Sequence, residues 1–129
     1  MIKVKAIIAG SRHIECAGIV HMVITDAVQK NDWDIIEVVS GGATGVDSVG
    51  EAMAQLFNKP IRRFPANWHM YGKIAGPMRN KEMAKYADVL ILIHSNTPGS
   101  LNMKAQMELL GKPIYEYVVT SEDLEKSKV

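Results

Sequence analysis

Ile35-Ile36-Glu37-Val38-Val39-Ser40-Gly41-Gly42-Ala43-Thr44-Gly45-Val46-Asp47 decides the fold. An apolar run ends in a glycine-rich turn, and the turn feeds a helical pattern of Val46, Val49, Met53, Leu56 and Phe57. A strand, a glycine turn and a helix in that order place bare backbone N–H groups where an anion can reach them. The helix dipole adds partial positive charge at the same end. Gly41, Gly42 and Gly45 suit such a cradle because side chains would block the approach and some turn positions need positive φ. A tight turn with no ligand is the plainer alternative.

The same alternation repeats on both sides. Val4–Ala9 reads as a buried strand stopped by Gly10, and residues from about Ile14 to Lys30 as a helix with Ala17, Val20, Ile24, Ala27 and Val28 on one face. Asn31-Asp32 breaks it. The second helix runs to about Asn58, Pro60–Phe64 is a short third strand, and Pro65–Ala75 a longer loop. Gly76-Pro77 opens a third helix, since proline suits its first turn. Asp88–Ile93 is nearly all apolar, which predicts a strand buried on both faces. Ser95–Ser100 reads as a turn, Leu101–Leu110 as a helix closed by Gly111, and Pro113–Val118 as the last strand. Five such alternations predict a three-layer α/β/α domain, Rossmann-like, over residues 1–119. Its five-stranded sheet should be mostly parallel, in strand order 3-2-1-4-5. Residues 120–129 read as a polar tail, a short helix or a frayed end.

Composition narrows the function. The chain has 129 residues, enough for one domain with a real core and too few for two. A formal net charge of +1 gives no electrostatic case for wrapping nucleic acid or coating a membrane. No apolar run reaches the roughly 20 residues that span a bilayer. Met1-Ile2-Lys3-Val4-Lys5 leads straight into a strand, with no signal peptide visible. The single cysteine, Cys16, excludes an internal disulfide, and a reducing cytoplasm fits best.

In sheets of this kind ligands bind beyond the carboxyl ends of the strands, at the switch point between strands 1 and 4. Gly10-Ser11-Arg12 and Ser95–Ser100 meet there, beside Ser40–Asp47. Arg12 can grip a phosphate bidentately. Arg79 and Asn80 lie near the start of the third helix, where dipole grounds disfavour a cation, so Arg79 points to an external anion. Thr44 and Asp47 have the spacing of a capping box. Otherwise Asp47 binds a ribose hydroxyl or positions water, and with Arg79 it is the candidate for catalysis. Trp68 and Tyr71 stack on a base, plug the loop or form a subunit contact. Gly99 and Ser100 supply a second anion site, or Ser100 is a plain N-cap. His13, His21, His69 and His94 show no metal spacing, so no metal is expected, and no cofactor either. His94 ends a strand at the site's edge and is the best histidine for chemistry. Gly50 inside a helix costs roughly 1 kcal/mol against alanine, which close packing would explain. The P-loop, Gly-x-Gly-x-x-Gly and Gly-x-Ser-x-Gly signatures are absent.

Together, Gly10-Ser11-Arg12, Ser40–Asp47, Trp68-x-x-Tyr71-Gly72-Lys73-x-Ala75-Gly76-Pro77-x-Arg79-Asn80, Met83 and Ala87-Asp88 resemble the YspA-like branch of the SLOG superfamily. That superfamily takes in the DNA-processing protein DprA, the LOG phosphoribohydrolases and the YpsA-like proteins. The resemblance covers about residues 3–118. It implies a Rossmann-like domain binding a nucleotide or nucleotide-derived ligand through its glycine loops. LOG enzymes carry Pro-Gly-Gly-x-Gly-Thr-x-x-Glu after the fourth strand, with a catalytic glutamate. Here the loop is Asn96-Thr97-Pro98-Gly99-Ser100-Leu101-Asn102-Met103-Lys104, without it. The branch's usual Ala-Asp-Trp is Ala66-Asn67-Trp68. These departures favour ligand sensing or sequestering over turnover. A nucleotide hydrolase is the alternative, and DprA-like binding of single-stranded DNA ranks lower. A homodimer or tetramer is expected.

Overall fold

The computed structural model describes residues 1–126. Strands β1 (Ile2–Gly10), β2 (Trp33–Ser40), β3 (Ile61–Arg63), β4 (Val89–His94) and β5 (Ile114–Val118) form one sheet. Its order is β3-β2-β1-β4-β5 and every pairing is parallel, so the expected order holds and the sheet is wholly rather than mostly parallel.

Two-residue periodicity divides the central strands between two cores. Val4, Ala6 and Ile8 of β1 and Val89, Ile91 and Ile93 of β4 face one layer, with α1 (Ala17–Asn31), α2 (Val46–Leu56) and Leu124 of α6 (Ser121–Lys126). Ile7, Ala9, Leu90 and Leu92 face the other, under Met83 and Ala84 of α4 (Ala75–Tyr86) and Met103 and Met107 of α5 (Pro98–Leu109). All six residues of β4 are buried. Each large side chain there contributes about 1.5–3 kcal/mol by leaving water, which fixes the strand at the centre. Gly50 lets α2 lie close on the sheet, since a Cβ would stand 2.7 Å from Cγ2 of Ile8.

Element ends differ from the pattern-based reading. α1 starts at Ala17, because Ile14 is a fully buried loop residue rather than the first turn of the helix. β2 begins at Trp33, after Asp32 takes a left-handed conformation (φ 54°) that stops α1. The loop after β3 contains a single helical turn, α3 (Trp68–Tyr71), and a 3-10 turn (Gly72–Ile74). α4 then starts at Ala75 and holds Pro77 inside its first turn. α5 starts three residues earlier than expected, with Pro98 at its first position. Lys112 Nζ donates to the carbonyls of Ala84, Lys85 and Ala87 at 2.7–3.0 Å, closing the far end of α4. The packed structure continues past residue 119. Val119 is buried and its N–H donates to the His94 carbonyl, and α6 sets Leu124 on the core. The remainder of the expected tail, residues 127–129, lies outside the described residues.

Candidate functional site

The loops after β1, β2 and β4 meet at the carboxyl edge of the sheet, and a cavity of two lobes lies between them. The inner lobe, about 520 Å³, is lined among others by Gly10, His13, Asp47, Lys73, Asn80, Gly99, Ser100 and Asn102. The outer lobe, about 530 Å³, is lined by Gly41, Gly42, Thr44, Arg63, Pro65 and Ala66. Arg12, Ala43, Trp68 and Arg79 line both and form the shared wall.

Arg12 is exposed, and its guanidinium lies over the Trp68 ring, 5.8 Å from the centroid. Among the described residues it has no ion-pair partner, and it lines both lobes. Trp68 is half exposed and backs onto Gly76, where a Cβ would come within 2.9 Å of the indole.

Arg79 differs. The reading of it as a cation held for an external anion overlooks an internal acceptor, since Nη1 donates to the Gly41 carbonyl at 2.6 Å and Nε to Asn80 Oδ1 at 3.0 Å. The guanidinium occupies the space a Gly41 side chain would need: a Cβ there would sit 2.6 Å from Nη1. Burial pulls Arg79 down from the ordinary arginine value, Asp47 offsets part of that, and Arg12 adds to it. Arg79 nevertheless reaches both lobes.

Asp47 is buried at the second position of α2. Burial pushes its carboxyl up to about 6, against the opposing pull of the amides of Ala43 and Gly10 and of the Arg79 charge; Glu51 adds to the rise. The capping box read for Thr44 and Asp47 does not form. Gly45 holds the cap position at φ 75°, a value side chains rarely adopt, and a Cβ there would lie 2.3 Å from the Arg12 carbonyl oxygen. Asp47 instead accepts from the Ala43 N–H at 3.4 Å.

The glycine turn therefore differs from the open cradle its sequence predicts. Gly42 N–H donates to Ser40 Oγ at 3.1 Å, Ser40 Oγ donates to Glu51 Oε2 at 2.6 Å, and Arg63 pairs with the same carboxylate at 2.7 Å. Two loop amides, those of Gly42 and Ala43, already have protein acceptors. The start of α5 is more open. Thr97 holds the cap position without a side-chain cap bond, and Ser100 is the third helical residue rather than the N-cap. First-turn amides of a helix have no intrahelical acceptor, so those of Gly99 and Ser100 are the main-chain donors at the inner lobe. A run of hydroxyls, Ser11 Oγ to Thr97 Oγ1 at 2.9 Å and Thr97 Oγ1 to Ser100 Oγ at 2.8 Å, ties this helix start to the loop after β1.

Of the residues singled out from sequence, Arg12, Trp68 and Arg79 line both lobes. Gly10, Asp47, Asn80, Gly99 and Ser100 line the inner, and Gly41, Gly42 and Thr44 the outer. Ser11, Ser40 and Gly45 are buried behind the wall and hold it in place. Tyr71 lines neither lobe and borders a separate groove with Pro65 and Met78. His94 is also outside: it is fully buried, its Nδ1 accepts from the Asn96 N–H at 3.0 Å and its Nε2 bonds Glu116 at 2.7 Å. Sequence reasoning missed Arg63 and Asn102 as site residues, and it placed His13 and the Ser95–Ser100 loop that holds Thr97 near this edge without giving either residue a role. Asn102 follows Gly99 by one helical turn and accepts from Asn80 Nδ2 at 3.0 Å, a signal hidden by the late start assigned to the helix. Lys73 was present in the quoted motif block without a role.

Among the described residues no group of His, Cys, Asp and Glu could hold a metal ion, and no helix is long and apolar enough to cross a membrane. No family model matches the chain. It is similar to the Gene 61 protein of Mycobacterium phage D29, 27% identical over 120 residues, which cover 88% of this chain and 95% of that protein.

Proposed function

We propose that this chain binds a nucleotide or nucleotide-derived phosphorylated small molecule at the carboxyl edge of its sheet, as a ligand-sensing or sequestering domain of the SLOG superfamily. One observation carries the reading: Arg12 has no acidic partner among the described residues and lines the same cavity as Arg79 and the open helix start at Gly99 and Ser100. Cations and helix-terminal amides converging on one hollow favour a phosphate. The polar groups deeper in, Asp47, Asn80 and Asn102, suit ribose hydroxyls and a base edge. A thermal-shift panel of nucleoside mono-, di- and triphosphates tests this. A ligand of the folded state at 100 times its Kd adds about 2.7 kcal/mol to stability. Arg12→Ala should abolish the shift, and a panel without any shift would refute the proposal.

A nucleotide hydrolase is the second reading, favoured by Asp47 alone. A buried carboxyl raised to about 6 on a cavity wall is ionised at neutral pH, yet basic enough to accept a proton from water. In that case Asp47 activates the water while Arg12 and Arg79 hold the phosphate, and either the N-glycosidic or the phosphate bond breaks. Product release from nucleoside monophosphates, lost in Asp47→Asn, supports it; equal turnover in the variant refutes this role.

We further read the chain as a homo-oligomer of the reducing cytoplasm. Exposed apolar side chains at two helix ends, Leu56 and Phe57, and Leu109 and Leu110, support the first part, and the single unpaired Cys16 the second. Light scattering on the eluting protein gives the oligomeric state.

A further inference from the structure

Each lobe of the cavity is of a size that takes a small-molecule ligand by itself, since such sites run from about 300 to 1,000 Å³. A mononucleotide needs only one. The charges are not spread evenly over the two. Arg63, the outer lobe's own arginine, is held by Glu51 through Nε at 2.8 Å and Nη2 at 2.7 Å. The inner lobe carries Asp47, which repels an anion set close to it. Lys73 adds a cation to the inner lobe alone, and the two cations common to both lobes, Arg12 and Arg79, lie on the wall between them. The Trp68 ring stands on the same wall, and the outer lobe is also lined by Gly42, whose backbone leaves open space where a side chain would be.

We infer that the two lobes are halves of one site for a two-ended ligand, two nucleoside-like groups joined by a diphosphate that lies across Arg12 and Arg79. The inference rests on the phosphate-binding reading above and extends it to the class of ligand. The inner half takes a ribose and base against Asp47 and Asn80. The outer half takes a second flat group between Trp68 and the glycine turn. The diphosphate then meets two guanidiniums at once, and an uncharged ribose rather than a phosphate lies against the Asp47 carboxylate. Joining two weakly held halves raises affinity by effective concentration, without contacts that the separate halves lack.

Calorimetric titration of the full chain tests this with nucleoside 5′-monophosphates of the four common bases and the matching symmetric dinucleoside diphosphates. The expected result is one dinucleoside diphosphate per chain, bound at least about tenfold more tightly than its monophosphate. Thr44→Trp and, from a separate segment of the lining, Ala66→Phe fill the outer lobe, and each should bring the two affinities together. Two substitutions from separate segments guard against a single misfolded variant. Equal affinities in the wild type, or a preference that survives both substitutions, would overturn the two-ended site and leave the phosphate site standing. Binding of neither compound class overturns both. Affinity that keeps rising with the length of a phosphodiester-linked oligonucleotide would replace the two-ended ligand by a strand.

Discussion

The turn after β2 and the turn after β4 both lead a buried strand into a helix at the same edge, yet they use their glycines in opposite ways. In the first, Gly41 and Gly45 admit protein, while Gly42 faces open space. Arg79 fills the space beside Gly41, the Arg12 carbonyl lies against Gly45, and the amides of Gly42 and Ala43 are bonded to Ser40 and Asp47. In the second, Gly99 has nothing within 4 Å of where its side chain would be, and the helix start faces the cavity. Two of the three glycines in the denser turn thus mark tight packing, and the sparser turn offers the open donors. Glycine count along a loop measures how closely something approaches the backbone; the three-dimensional neighbours decide whether that something is ligand or protein.

Substitutions in the two turns break or sharpen this contrast. Gly45→Ala should have the largest effect, because a left-handed φ of 75° and a Cβ 2.3 Å from backbone oxygen leave no room to relax. A loss of more than about 3 kcal/mol in urea unfolding is expected. A loss below about 1 kcal/mol, within the range of ordinary substitutions, would show that the turn is not packed as described.

Asp47 comes next. Its folded-state value is raised from 3.8 to about 6, so between those pH values the native chain holds more protons than the unfolded one. Stability from this group is therefore full below about pH 4 and falls as pH rises to 6. The total loss is up to about 3 kcal/mol. Asp47→Asn should flatten the fall in melting temperature over that interval, and an unchanged slope would place the titration elsewhere.

Ser40→Ala removes the hydroxyl that bonds both Gly42 N–H and Glu51. The expected loss is about 1–3 kcal/mol, read in the same urea assay. Gly99→Ala should do least. The site is open and lies in the first turn of α5, so a gain of up to about 1 kcal/mol is expected from the stiffer unfolded chain and better helix propensity. Destabilisation there would mean the second turn is as tightly packed as the first.

Much of this was legible in the sequence, for identifiable reasons. β1 and β4 are short, nearly continuous apolar runs, and only a position at the centre of a covered parallel sheet buries both faces of such runs. Strand order, the switch point and the convergence of three loops followed from that. The packing at Gly50 was legible too, because a mid-helix glycine needs a reason. What stayed hidden depends on partners far along the chain. Arg79 meets Gly41 across 38 positions, and Asn80 meets Asn102 across 22. No local pattern shows that an arginine facing a ligand cavity also donates to a distant carbonyl. The capping-box spacing at Thr44 and Asp47 misled because a glycine cap with positive φ turns the aspartate inward. Pro98 starts α5 at its N1 position, and reading Ser95–Ser100 as one turn concealed Asn102's place on the cavity side.

β3 bounds the sheet with only three residues, two of them exposed arginines, Arg62 and Arg63. An incoming strand from another molecule would find barely two rungs to pair with, and would meet like charge if it brought the same edge. Concentrated solutions of this protein should accordingly resist fibril growth from that side of the sheet.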